Sequence, residues 1–149
     1  MSQTPGSGPQ VAPPTTPYGP PIAIAGARRA MAAAEAEAAR NGWGVSIAIV
    51  DSGGNLVMLH RLENAQLSSI RIAEEKARTA VEFRRPTKAL EDAVAGGGVG
   101  LRVLTFGASV AEGGVPIVSA GLIIGAIGVS GVASHQDAQV AQAGANALA

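Results

Sequence analysis

Apolar positions recur along this chain in two periods, and the switches between them mark out the elements. From Ile24 to Arg40 the run is Ala-rich, and Ala27, Met31, Ala34 and Ala38 fall on one face, which predicts a helix stopped by Asn41-Gly42. Val45–Val50 and Leu56–Leu62 read as two strands joined by the turn Asp51-Ser52-Gly53-Gly54-Asn55, a β-hairpin in which Asp51 bonds nearby backbone amides. The helical period returns over Gln66–Phe83, with Leu67, Ile70, Ala73, Ala77 and Ala80 as the buried stripe. Arg71/Glu75 and Glu74/Arg78 are spaced as i,i+4 ion pairs on its outer faces. Pro86 ends that segment, and Thr87 is placed to cap a short helix running to Ala95. Gly96–Gly100 reads as a flexible loop and Arg102–Phe106 as a strand.

The last third carries no charge from Gly113 to Ser134 and is long enough to cross a bilayer. Its composition argues against a membrane helix. Pro116 stands at its start, Gly121, Gly125, Gly128 and Gly131 interrupt it, and no Lys/Arg cluster flanks it. Branched Val and Ile favour two buried strands instead, Val115–Ser119 and Leu122–Val129, turning at Ala120-Gly121. Ser134-x-x-Asp137 then reads as a capping box opening a final helix with Ala138, Ala141, Ala145 and Leu148 inward. Five strands, hairpin connections and flanking helices predict a single α+β domain built on an antiparallel sheet.

Composition narrows the function classes. Among 149 residues, eleven basic and eleven acidic side chains cancel, so there is no electrostatic footprint for nucleic acid. The four aromatic residues, Tyr18, Trp43, Phe83 and Phe106, are too few for a base-stacking surface. A core of Ala, Val, Ile and Leu buries little area per side chain, which points to stabilisation by self-association. The absence of cysteine excludes disulfides, thiolate nucleophiles and Cys-based metal sites. No basic start followed by an apolar core is visible, and a cytoplasmic location is expected. Residues 1–21 carry five prolines between Pro13 and Pro21 and read as an arm, with Tyr18 as its anchor on a neighbouring subunit; residues 22–149 are the domain.

Several segments in order resemble one family. They are Ser46-Ile47-Ala48-Ile49-Val50-Asp51-x-Gly53-Gly54; Glu75-Lys76-Ala77-x-Thr79-Ala80 with Arg85-Pro86-Thr87; Gly113-Gly114-Val115-Pro116-Ile117; and Gly125-Ala126-Ile127-Gly128-Val129-Ser130-Gly131 through Gln136-Asp137 and Ala143-Gly144. The stretch from Ala23 to Leu148 is similar to the GlcG/HbpS-like family, which also takes in the C-terminal domain of PduO. The resemblance implies a profilin-like five-stranded antiparallel sheet, assembly into homo-oligomers, and haem as a ligand for some members. Two departures stand out. Leu62-Glu63-Asn64-Ala65 replaces the Met-Asp-Gly-Ala common in the family, and His135 replaces an acidic residue before Gln136-Asp137.

The candidate chemistry is sparse. His60, late in a strand, and His135, at the start of the last helix, are the two histidines. Each is a candidate haem ligand or general base, and each is also a common kind of solvated histidine. Their spacing matches no His-based metal motif, and a two-histidine site completed by Glu112 lacks any spacing signal. Arg61 is a candidate clamp for a ligand carboxylate. Lys76 either binds such a group as a point charge or lies along a packed face. Glu112, beside Gly113-Gly114, is the best-placed carboxylate for acid/base work. The Gly-rich segment at Gly96 lacks the phosphate-cradling patterns. Three functions fit: binding of a small flat anionic molecule such as haem by Arg61, Lys76, His60 and His135; a cofactor-independent isomerase, lyase or hydrolase acting on a small catabolic intermediate with His60, Glu112 and His135; or a purely structural oligomer.

Overall fold

The elements run in the expected order with one exception. The computed structural model describes residues 15–149. Helix α1 (Ile24–Asn41) is followed by strands β1 (Ser46–Asp51) and β2 (Leu56–Arg61), then α2 (Ser68–Phe83) and α3 (Thr87–Ala95). A 3-10 helix (Gly98–Thr105), β3 (Gly114–Ser119), β4 (Leu122–Ser130) and α4 (Ser134–Asn146) complete the fold. The four strands form one antiparallel sheet in the order β2-β1-β4-β3.

The sheet therefore has four strands among the described residues, not five. Arg102–Phe106 lies in and just after the 3-10 helix, none of whose residues is buried. The outer edge of β3 leaves a fifth strand little to pair with. Gly114 N–H is already donated to the Thr87 hydroxyl at 2.9 Å, and Pro116 has no N–H to offer. Thr87 is thus a brace between α3 and the sheet rather than a helix cap.

Alternation along the strands sorts the core into two layers. Ile47, Ile49, Ile117, Ile127 and Val129 pack against Ala27, Met31 and Ala34 of α1 and Val140 and Ala141 of α4. Ala48, Val50 and Ala126 face Ala73, Ala77 and Ala80 of α2. The α2 stripe is as expected at Ala73, Ala77 and Ala80, but Leu67 lies just before the helix and is exposed, Ile70 is only half-buried, and Lys76 and Thr79 are buried in it. The glycines of the apolar run explain how close α2 comes to the sheet. A Cβ on Gly128 would lie 2.1 Å from the Ala73 carbonyl oxygen, and one on Gly114 would lie 2.3 Å from that of Lys76.

The uncharged run folds as the β3–β4 hairpin. Its turn residues Ala120 (φ 50°) and Gly121 (φ 77°) are both left-handed, the geometry that matches strand twist in a two-residue turn. No described helix is long and apolar enough to cross a membrane. At the start of α4 the cap position is Ala133, not Ser134; the Gln136 side chain accepts from Ala133 N–H at 3.3 Å.

The Tyr18 anchor holds its own subunit. Pro17 and Gly19 bond Ile123 where β1 has ended and the edge of β4 is open, and Ile22 N–H reaches the Ile124 carbonyl. The Tyr18 hydroxyl donates to the Val81 carbonyl at 2.8 Å, and Arg84 lies over its ring. The rest of the expected arm, residues 1–14, falls outside the described residues.

Candidate functional site

Two concave surfaces lie in different parts of the fold, and of the candidate residues only Glu112 lines one of them. The first is a groove of about 400 Å³ at the C-terminal end of α1, lined by Glu35, Ala38, Ala39, Gly42, Trp43, Leu62 and Glu63. The second is a cleft of about 220 Å³ between α3, α4 and the start of β3, lined by Lys88, Ala89, Asp92, Glu112, Gly113, Gly114, Val115 and Gln142.

His60 does not line the first but lies beside it, through its partner Glu35. It pairs with Ile47, so its side chain stands on the α1 face of the sheet. There Nδ1 meets the Glu35 carboxylate at 2.5 Å. A carboxylate only accepts, so Nδ1 carries the proton and Nε2 is the free nitrogen of the ring. Glu35 was not foreseen. It lies 25 positions from His60, and no local pattern joins them.

Arg61 is elsewhere. It pairs with Ser46, whose hydroxyl meets that of Ser69 on α2, so Arg61 stands on the opposite face from His60. The period-two rule for adjacent strand residues already separates the two. His135, exposed in the first turn of α4, lines neither cavity. The acid/base set His60, Glu112 and His135 is therefore not assembled, and the anion clamp of Arg61 and Lys76 is not formed.

Lys76 is neither a ligand clamp nor a side chain lying along a face. It passes the end of β3, where Gly113 has no side chain; a Cβ there would lie 2.8 Å from the Lys76 ammonium. Nζ donates to the Val129 carbonyl at 2.9 Å and to Asp137 Oδ2 on α4 at 3.1 Å. Both side chains are almost wholly buried. Asp137 also accepts from Val132 N–H, so it does hold the start of α4, while taking part in a charge pair that spans both layers. Burial pushes its carboxyl above the usual aspartate range, against the pull of the Lys76 charge, and the nearby Glu112 charge pushes the same way.

Glu112 is partly buried in the wall of the cleft and, among the described residues, makes no ion pair or side-chain hydrogen bond. Lys88 faces it across the cleft, held to Asp92 at 3.0 Å and Glu91 at 3.4 Å. Asp92 first, then Glu91, raise the pKa of its ammonium. No three His, Cys, Asp or Glu side chains gather to hold a metal ion among the described residues.

Residues 22–146 match the family model described as "Haem degrading protein HbpS-like". The chain belongs to the HbpS-like family. It is 46% identical to Protein GlcG of Escherichia coli strain K12 over 100 residues, which are 67% of this chain and 74% of that protein. Its fold superposes on a double mutant of HbpS from Streptomyces reticuli with a TM-score of 0.80 and 29% identity, covering 100% of this chain and 99% of that one. It matches the crystal structure of a PduOC–haem complex with a TM-score of 0.77 and 30% identity, covering 85% and 94%. The resemblance read from the motifs thus holds. At the Leu62-Glu63-Asn64-Ala65 departure, Asn64 has φ 66°, a backbone conformation that glycine accepts freely and asparagine tolerates.

Proposed function

We propose that this protein binds haem, with His60 Nε2 as the axial nitrogen and Glu35 as its orienting partner. The observation that carries this reading is the bond between His60 Nδ1 and Glu35, which fixes the ring tautomer and orientation and leaves Nε2 as the free nitrogen. Trp43 and Leu62 give the neighbouring groove an apolar wall, as expected beside a flat macrocycle. Membership of a family described as haem-degrading, and likeness to a protein crystallised with haem, support the same ligand. Glu35 and Glu63 make this groove unfavourable for propionates, which are expected to point to solvent. The groove is open on one side, and the working unit is a homo-oligomer. Val99, Leu101, Leu104 and Phe106 around the 3-10 helix are exposed and supply an apolar surface for a second copy.

Hemin titration followed by its Soret band tests the assignment. His60→Ala abolishes the shift seen with wild type, His135→Ala retains it, and Glu35→Gln weakens binding about 10–100-fold. A wild-type shift in His60→Ala refutes the ligand, and no shift in wild type refutes haem.

A further inference from the structure

The cleft at Glu112 and Gly113 shares no residue with the groove beside Glu35, and the haem reading leaves it without a ligand. We propose that it is a binding site for a small organic cation: a primary ammonium on a short apolar body.

The charges around the cleft decide the sign of the ligand. Lys76 is offset by Asp137, and Lys88 by Asp92. Among the charged residues lining the cleft, Glu112 is left over in the wall. A concave site with surplus negative charge attracts cations and repels carboxylates and phosphates. The absence of a three-carboxylate or histidine cluster among the described residues argues against a bare metal ion and for an organic one.

The hydrogen-bonding groups agree. Gly113 accepts from Val129 N–H, so Gly113 faces β4 and the next residue turns its backbone outward. Gly114 accordingly donates outward to Thr87, and its carbonyl points the same way, toward the cleft. Glu112, the Gly114 carbonyl and the Gln142 amide oxygen can accept the three N–H bonds of an ammonium. Pro86, Ala89, Val115 and Ala138 supply an apolar wall for a short carbon chain. The volume lies below the roughly 300–1,000 Å³ of drug-sized sites, so the ligand is small.

The test uses n-butylammonium chloride, with n-butanol and butyrate as shape-matched controls, added to isotope-labelled full-length protein at constant ionic strength. Only butylammonium is expected to shift the amide resonances of Gly113, Gly114, Val115 and Ala138. Glu112→Gln, which keeps the shape, is expected to weaken binding about tenfold or more. Gln142→Lys, a change at an exposed position of α4, places a tethered ammonium over the cleft and is expected to block the ligand. Hemin binding stays at the wild-type level in both variants, which keeps this test apart from that of the groove. Equal shifts with butanol, binding by Glu112→Gln at wild-type strength, or shifts spread evenly over the acidic surface each overturn the proposal.

Discussion

The pair Lys76–Asp137 allows a sharp test of what holds the two layers together. Asp137→Asn keeps the side-chain shape and the bond from Val132 N–H, but leaves the Lys76 ammonium buried with the Val129 carbonyl as its remaining partner. An uncompensated buried charge costs about 3–5 kcal/mol. In a domain of this size about 1 kcal/mol moves the melting midpoint by roughly 2–4 °C, so the midpoint should fall by about 6–20 °C. Lys76→Met strands the other charge. Burial already holds the folded-state pKa of Asp137 above its unfolded value near 3.8, so the unfolded chain releases this proton first as pH rises. Stability from the protonated form is therefore complete below the unfolded pKa and is lost as pH rises through the folded one. Without the pull of Lys76 the folded pKa climbs further. The loss in Lys76→Met should be largest at neutral pH and shrink as pH falls. The double variant Lys76→Met/Asp137→Asn buries no charge and should lose at least about 2 kcal/mol less than the two single losses added together. Urea unfolding of the four proteins at neutral and mildly acidic pH measures all of this. Additive losses, or a Lys76→Met loss that does not shrink on acidification, would refute the reasoning.

Two further changes probe the glycine-rich hairpin. Gly128→Ala forces a methyl group against the Ala73 carbonyl oxygen and Ala77 backbone of α2, neither of which is a flexible side-chain end. It should cost about 3 kcal/mol, the upper part of the usual overpacking range, read from the urea midpoint. Ala120→Asn replaces a residue strained at φ 50° by one that tolerates that conformation in a two-residue turn. It should gain about 0.5–1 kcal/mol, and a lower melting midpoint would count against the turn assignment.

The parts of the fold that local chemistry specifies were legible in the sequence. The period of α1, the Asp51 turn, with Oδ1 accepting from Gly53 and Asn55 N–H, and the β3–β4 hairpin all follow from residues within a few positions of one another. The 3-10 helix was read as a strand because Val103, Leu104 and Phe106 have strand-like side chains. What matters there is that the β3 edge is blocked by Thr87 and Pro116, which no window around Arg102 contains. The site was less legible for the same reason. Glu35 and His60 meet across 25 positions and Lys76 and Asp137 across 61, and neither pair leaves a spacing signal. Arg61 is different: its adjacency to His60 in a strand already placed it on the other face.

The glycines that identify the fold also account for where the cleft lies. Gly114 and Gly128 have no side chains because α2 rests its backbone on them, and that closeness brings Lys76 level with the end of β3. The bare Gly113 then gives the ammonium a passage to Asp137 on the far layer, so the fold closes there with a charge pair instead of an apolar plug. A larger residue at position 113 would shut that passage, leaving Asp137 without a counter-charge. The edge strand, α3 and α4 consequently meet around a shallow hollow whose floor is backbone and whose nearest unpaired charge is Glu112. A site that arises in this way selects by charge and size rather than by shape. Its occupancy should therefore depend on Glu112 and be insensitive to His60, the reverse of what the groove requires.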